Sequence, residues 1–225
     1  MKMSAKRFVE ELSEISLPNV FNPYSDRCAL FDLPKAAIVR RKNLVSYLAA
    51  IERSETDVIW MGRDLGYRGG RRTGLALTDE SHLRDMEQCY PGSEINKATT
   101  GPVVAERTAT EIWAAIRSIP LPPLLWNVFP FHPHEPDQPL TNRKFSAREL
   151  AVVDELNRML IGWLGISTIV GIGQDAAKYA ADFGISVECV RHPSYGGTRD
   201  FRTGVERVYG VELRRTAIGQ SELFT

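Results

Sequence analysis

The sequence predicts an α/β protein, a three-layer α/β/α sandwich built on a central four-stranded parallel sheet. Three observations predict it. Four short runs, DVIWMG (57–62), LLWNVFPF (124–131), STIVGIG (167–173) and SVECVRH (186–192), have strand length, and the first three are nearly all apolar, as strands buried on both faces are. Segments of helical period lie between them. Strands alternating with helices imply a parallel sheet covered on both sides.

Residues 4–16 and 35–53 read as helices, the second carrying Ala36, Ile38, Leu44, Leu48 and Ile51 on an apolar stripe. Between them VFNPYSDRCALFDLP is loop-like, with proline towards both ends. After the first strand comes a Gly/Arg-rich loop, then a helix over 111–119 that IPLPP breaks. Residues 146–164 form an amphipathic helix whose Ser146 and Glu149 spell a capping box. QDAAKYAADFG is a helix closed by Gly184, and FRTGVERVYG begins the last one.

A chain of 225 residues with 43% hydrophobic and 25% charged side chains suits one folded domain over 1–225, with a helical segment at 1–56 and a motif-bearing core at 57–205. No apolar run approaches the ~20 residues of a membrane helix. The opening MKMSAKRFVEELSEI mixes charged and apolar residues at helical spacing, unlike a signal peptide, so a cytoplasmic monomer is expected. Three scattered cysteines make neither a disulfide framework nor an iron–sulfur site. With 28 basic and 28 acidic side chains, the chain does not coat nucleic acid by net charge. A local basic face remains open, since Arg63, Arg68, Arg71 and Arg72 cluster in one stretch and Arg191, Arg199, Arg202 and Arg207 in another.

In a parallel sheet, ligands bind at the carboxyl ends of the strands. Three of the four strands end there in unusual polar sequence: GRDLGYRGGRRTGLALTDE (62–80), WNVFPFHPHEP (126–136) and RHPSYGG (191–197). Each delivers a polar group to one shared cleft: Asp64, Asn127 and His192. Taken singly, Asp64 also suits a turn cap, Asn127 a partner for strand-end backbone, and His192 an ordinary strand-terminal histidine. Their joint occurrence at three strand tips points to a site.

These segments resemble, in order and spacing, the signature motifs of the uracil-DNA glycosylase superfamily. GRDLG stands where that superfamily carries glycine, a variable residue, Asp or Asn, proline, then Tyr or Gly. GLAL lines up with one wall of its base pocket, WN with the strand-end asparagine that reads the base, and HPS with the start of its histidine loop. The resemblance covers residues 57 to about 205 and is to the cluster-free, broad-specificity branch, because four cysteine ligands are absent. It implies a monofunctional DNA glycosylase of base-excision repair, acting on uracil or other deaminated bases, with DNA as partner and no cofactor.

The resemblance also assigns roles. Breaking an N-glycosidic bond leaves positive charge on the sugar and negative charge on the base, so a catalyst sets an anion and a water at the sugar and donors at the base. Asp64 and His192 fit these catalytic roles. The Asn127 amide matches the O4 acceptor and N3–H donor of uracil. Gly62, Gly66 and Leu77 belong to the pocket. Such a base must be flipped out of the helix. Arg68, Arg71, Arg191 and Ser194 are candidate phosphate contacts, Gly196 lets backbone approach DNA, and Tyr195 or Arg199 would fill the vacated stack.

The chain departs from the pattern at Leu65, which replaces proline, and at Gly66, where strictly uracil-specific members carry tyrosine. Gly66 predicts a roomier pocket. Leu77 falls where an aromatic residue stacks on the base, so Tyr67 or Phe129 is expected to substitute. No metal site is expected: His132 and His134 are separated by one residue, but no acidic cluster accompanies them. GIGQDAA lacks the third glycine of a dinucleotide fingerprint and reads as a tight strand-to-helix turn. Two rival functions stay open: a non-enzymatic binder of uracil or abasic sites, and a hydrolase of free nucleosides.

Overall fold

A computed structural model describes residues 3–213. In chain order its elements are α1 (Ala5–Glu14), β1 (Val20–Phe21), α2 (Ala36–Glu52), β2 (Val58–Asp64), α3 (Gly70–Thr73), a 3-10 turn (Glu80–His82), α4 (Leu83–Cys89), α5 (Arg107–Ile116), β3 (Leu124–Phe129), β4 (His132–Pro133), α6 (Ala147–Trp163), β5 (Thr168–Ile172), α7 (Gln174–Ala180) with a 3-10 extension (Ala181–Phe183), β6 (Ser186–Val190) and α8 (Thr198–Tyr209). The central sheet has the order β3-β2-β5-β6, all parallel, and β1 pairs with β4 in a separate two-stranded antiparallel ribbon.

The expected four-stranded parallel sheet flanked by helices is therefore present. Ile59, Trp60, Met61 and the whole of β3 are buried because helices cover both faces. Trp60 leaves one face towards Phe201 and Tyr209 of α8, donating Nε1–H to the Tyr209 hydroxyl at 2.8 Å. On the other face Trp126, in register with Met61, meets Phe8 of α1 and donates to Asn157 of α6 at 2.9 Å. The capping box of α6 forms as its sequence predicts, Ser146 Oγ accepting from Glu149 N–H and the Glu149 carboxylate from Ser146 N–H.

The segment between β2 and β3 differs most from expectation. Its sequence reads as loop up to residue 110, yet it holds α3, the 3-10 turn, α4 and the first turns of α5. These pieces are too short to show a period, and their order comes from buried ion pairs. Glu80 meets Arg72 at 3.2 Å and accepts from Thr99 Oγ1, and Arg40, held by Asp32 from before β2, donates Nε–H to the Arg72 carbonyl at 2.9 Å. No helix among the described residues is long and apolar enough to cross a membrane, and no described cluster of His, Cys, Asp and Glu could hold a metal.

The His132 imidazole of that pair is buried and bonded within the fold. Its Nδ1 accepts from Arg71 Nη1 at 2.8 Å and its Nε2–H donates to the Thr141 carbonyl at 2.8 Å. Burial and then the Arg71 charge push its pKa from 6.5 down to about 3. Between those pH values the unfolded chain binds a proton that the native protein refuses. Stability is thus full above pH 6.5 and falls as pH drops towards 3, by about 1.4 kcal/mol per pH unit from this group. Urea unfolding of wild type and His132→Gln at pH 7 and pH 4 checks it: the wild type should lose more stability by several kcal/mol, since Gln can accept from Arg71 and donate to Thr141 without titrating.

Candidate active site

A cleft of about 830 Å³ opens at the carboxyl ends of the sheet strands, and Asp64, Asn127 and His192 all line it. The sheet places them. Asp64 is the last residue of β2, Asn127 stands beside Gly62 in the β2–β3 register, and His192 follows β6 by two residues. Beside them β5 is followed by Gly173 at φ +94, a conformation that favours glycine, and a Cβ there would sit 3.2 Å from His192 Cβ. The turn read in GIGQDAA thus shapes the cleft wall.

Asn127 carries the strongest signal. The residue is 1% exposed, yet its Oδ1 has no hydrogen-bond partner among the described residues. Buried polar atoms are nearly always paired, and an orphan costs ~1–3 kcal/mol. A Cβ on Gly62 would overlap this amide oxygen and come within 3.0 Å of Leu77 Cδ2, so the absence of a side chain there makes the room Asn127 occupies.

His192 is oriented by its own loop. Its Nδ1 accepts from the Ser194 backbone N–H at 3.2 Å and lies 2.8 Å from Ser194 Oγ. A nitrogen that accepts from an amide cannot carry the proton, so the proton sits on Nε2, free to donate. Burial, then the charges of Arg191 and Arg63, hold the imidazole pKa below its usual value. The result is a neutral donor in a positive surrounding.

Asp64 is less free than its position suggests. Arg63 Nε donates to Oδ2 at 2.5 Å and Nη2 lies 3.4 Å from Oδ1. Arg63 also reaches Asp175 at 3.5 Å, which Lys144 meets at 2.8 Å. Burial raises the Asp64 pKa, and the Arg63 pair pulls against that rise.

Other expected site residues divide clearly. Gly62, Gly66, Leu77, Arg191, Ser194 and Tyr195 line the cleft with the three strand-end groups. Tyr195 is 97% exposed at φ +51, with Gly196 beside it at φ +77, so the loop projects an aromatic ring outward. Arg199 and Arg68 are exposed, the latter lying over the Tyr67 ring and donating to its hydroxyl at 2.9 Å. Arg71 is a correction. It is 2% exposed, packed over Phe21 at 3.7 Å and bonded to His132, so it meets no external phosphate. Phe129 is another, because Phe131 and Phe145 enclose its ring at 5.5 and 5.1 Å in the core. Tyr67 does not line the cleft either. Neither replaces the stacking aromatic, and Leu77 itself occupies that wall.

Leu77 does so at φ +55, a strained conformation for a branched side chain. Thr73 holds it there, its Oγ1 donating to the Thr78 carbonyl at 2.9 Å and accepting from Leu75 N–H at 3.1 Å. Arg63, Glu106, Asn142 and Asp175, which the sequence alone does not assign to the site, also line the cleft. Arg63 had a signal, adjacency to Asp64. Glu106 had none, since it belongs to the stretch read as loop.

Comparison with solved structures finds the same fold in the crystal structure of wild-type SMUG2 from Pedobacter heparinus. The two share 15% identity over 90% of this chain and 95% of that one, with a TM-score of 0.60. No protein-family model matches the chain, and no curated protein sequence does. At that identity the likeness establishes the architecture alone.

Proposed function

We propose that this protein is a monofunctional DNA glycosylase of the uracil-DNA glycosylase superfamily, which hydrolyses the N-glycosidic bond of uracil or a related deaminated base. The orphaned Asn127 amide in a cleft that also holds Asp64 and His192 carries this reading. An amide offers an acceptor and a donor side by side, which is what the O4 and N3–H edge of uracil requires. Asp64 then stabilises positive charge growing on the sugar and orients the water. His192 Nε2–H meets negative charge growing on the base. The fold shared with SMUG2 supports the superfamily assignment, as do the motif positions.

DNA approaches the face that carries Arg191, Ser194, Tyr195, Gly196, Arg199 and Arg68. Tyr195 is the chosen wedge, because an exposed ring on a projecting loop can stack in the gap a flipped base leaves. Incubation with uracil-bearing oligonucleotides followed by alkali should break the strand at the modified position. Intact strands across uracil, hypoxanthine and xanthine would remove the proposal. The Arg63 clamp on Asp64 favours one second reading, a lesion binder without turnover, for which gel shifts on uracil DNA without any cleavage would speak.

A further inference from the structure

Among the described residues three carboxylates line the cleft, and they are not alike. Arg63 holds Asp64, while Lys144 and Arg63 hold Asp175. Glu106 is different. It is the N-cap residue of α5, and its carboxylate takes part in no hydrogen bond or ion pair with any described residue. It packs instead on the loop after Asp64: Oε1 would lie 3.2 Å from a Cβ on Gly66, and a Cβ on Gly69 would overlap Oε2. The space those two glycines leave open is filled by a bare carboxylate at the cleft wall.

Resting on the glycosylase reading, we propose that Glu106 is a second catalytic carboxylate, the group that takes the proton from the attacking water. The water oxygen bonds to C1′ as its proton passes to a Glu106 oxygen. The C1′–N electron pair leaves with the base, whose anion His192 Nε2–H receives. Asp64, whose two oxygens both accept from Arg63, has fewer free lone pairs to take a proton and keeps its electrostatic role as an anion.

The surroundings suit a base that is neither quenched nor permanently protonated. Burial raises the Glu106 pKa, the Asp79 carboxylate raises it further, and Arg68 pulls it down. Asp79 is itself engaged, accepting from His82, Ser81 and the Glu106 backbone N–H. A carboxyl lifted by burial acts most effectively as a base nearer neutral pH.

The test is single-turnover base release from a uracil oligonucleotide by the full chain. General-base assistance contributes ~10²–10⁴ in rate, so Glu106→Gln should be slower than wild type by at least ~10². The Asp79 contact to Glu106 uses the backbone and survives either substitution, and a thermal melt verifies folding. Glu106→Ala leaves a hole beside Gly66 and Gly69 that formate can enter, so added formate should accelerate this variant in proportion to its concentration. Formate should not accelerate His192→Ala. Glu106→Gln within threefold of wild type would overturn the inference and leave the glycosylase reading standing, as would a slow Glu106→Ala that formate does not rescue. Wild type inactive on every base would overturn both.

Discussion

A His192→Ala variant is expected to release base about 10²–10³ more slowly than wild type, with little change in melting temperature. The reason lies in the tautomer. Accepting from Ser194 N–H fixes Nδ1 without a proton and commits Nε2–H to the cleft before substrate arrives. A donor set in advance needs no reorganisation when charge develops, and loss of one such donor costs ~2.7–4 kcal/mol of barrier. The imidazole is only partly buried, so its removal opens no large core cavity. Ser194→Ala should be far milder, because the backbone N–H that fixes the ring survives. Single-turnover rates and thermal melts of both variants decide the matter: a His192→Ala rate within threefold of wild type would take this histidine out of the reaction.

Asn127→Leu is expected to abolish base release while making the protein more stable, an unusual pairing of signs. Leucine has nearly the shape of asparagine and no polar atoms. Replacing an amide whose oxygen is buried and unpaired removes a penalty of ~1–3 kcal/mol. An asparagine that served the fold would behave oppositely. Asn157, for comparison, is equally buried but accepts from Trp126 and donates to the Val128 carbonyl at 2.7 Å, so Asn157→Leu should destabilise. Urea unfolding of the two variants separates the cases. A destabilised Asn127→Leu would mean that this amide is structural and that the cleft reads no base through it. The expected gain is the stability that the site gives up to keep a recognition group ready.

The cleft thus combines a prepared donor, an unpaired amide and carboxylates of differing freedom. Arg63 gives the arrangement a particular character, since it binds Asp64 and Asp175 together and also helps keep His192 neutral. A positive charge here disfavours protonation of the imidazole, and in the proposed reaction it would favour the departing base anion by the same electrostatic effect.

Much of this was legible in the sequence, for local reasons. An apolar run bounded by glycine or proline specifies a buried strand whatever surrounds it, and Ser146 with Glu149 specifies a helix start within four residues. Strand ends in a parallel sheet share one edge, so Asp64, Asn127 and His192 were placed together by topology alone. What only the tertiary structure decided depends on neighbours distant in the chain. Arg71 and Arg68 are three residues apart in one basic stretch, yet Phe21 and His132 take the first inside while the second stays exposed. Phe129 is two residues from Asn127 and shares its strand face, but Phe145 encloses it. Glu106 acquires its place only when the glycines after Asp64 fold against it. Periodicity and capping are properties of adjacent residues; burial and charge pairing belong to whatever the fold brings near.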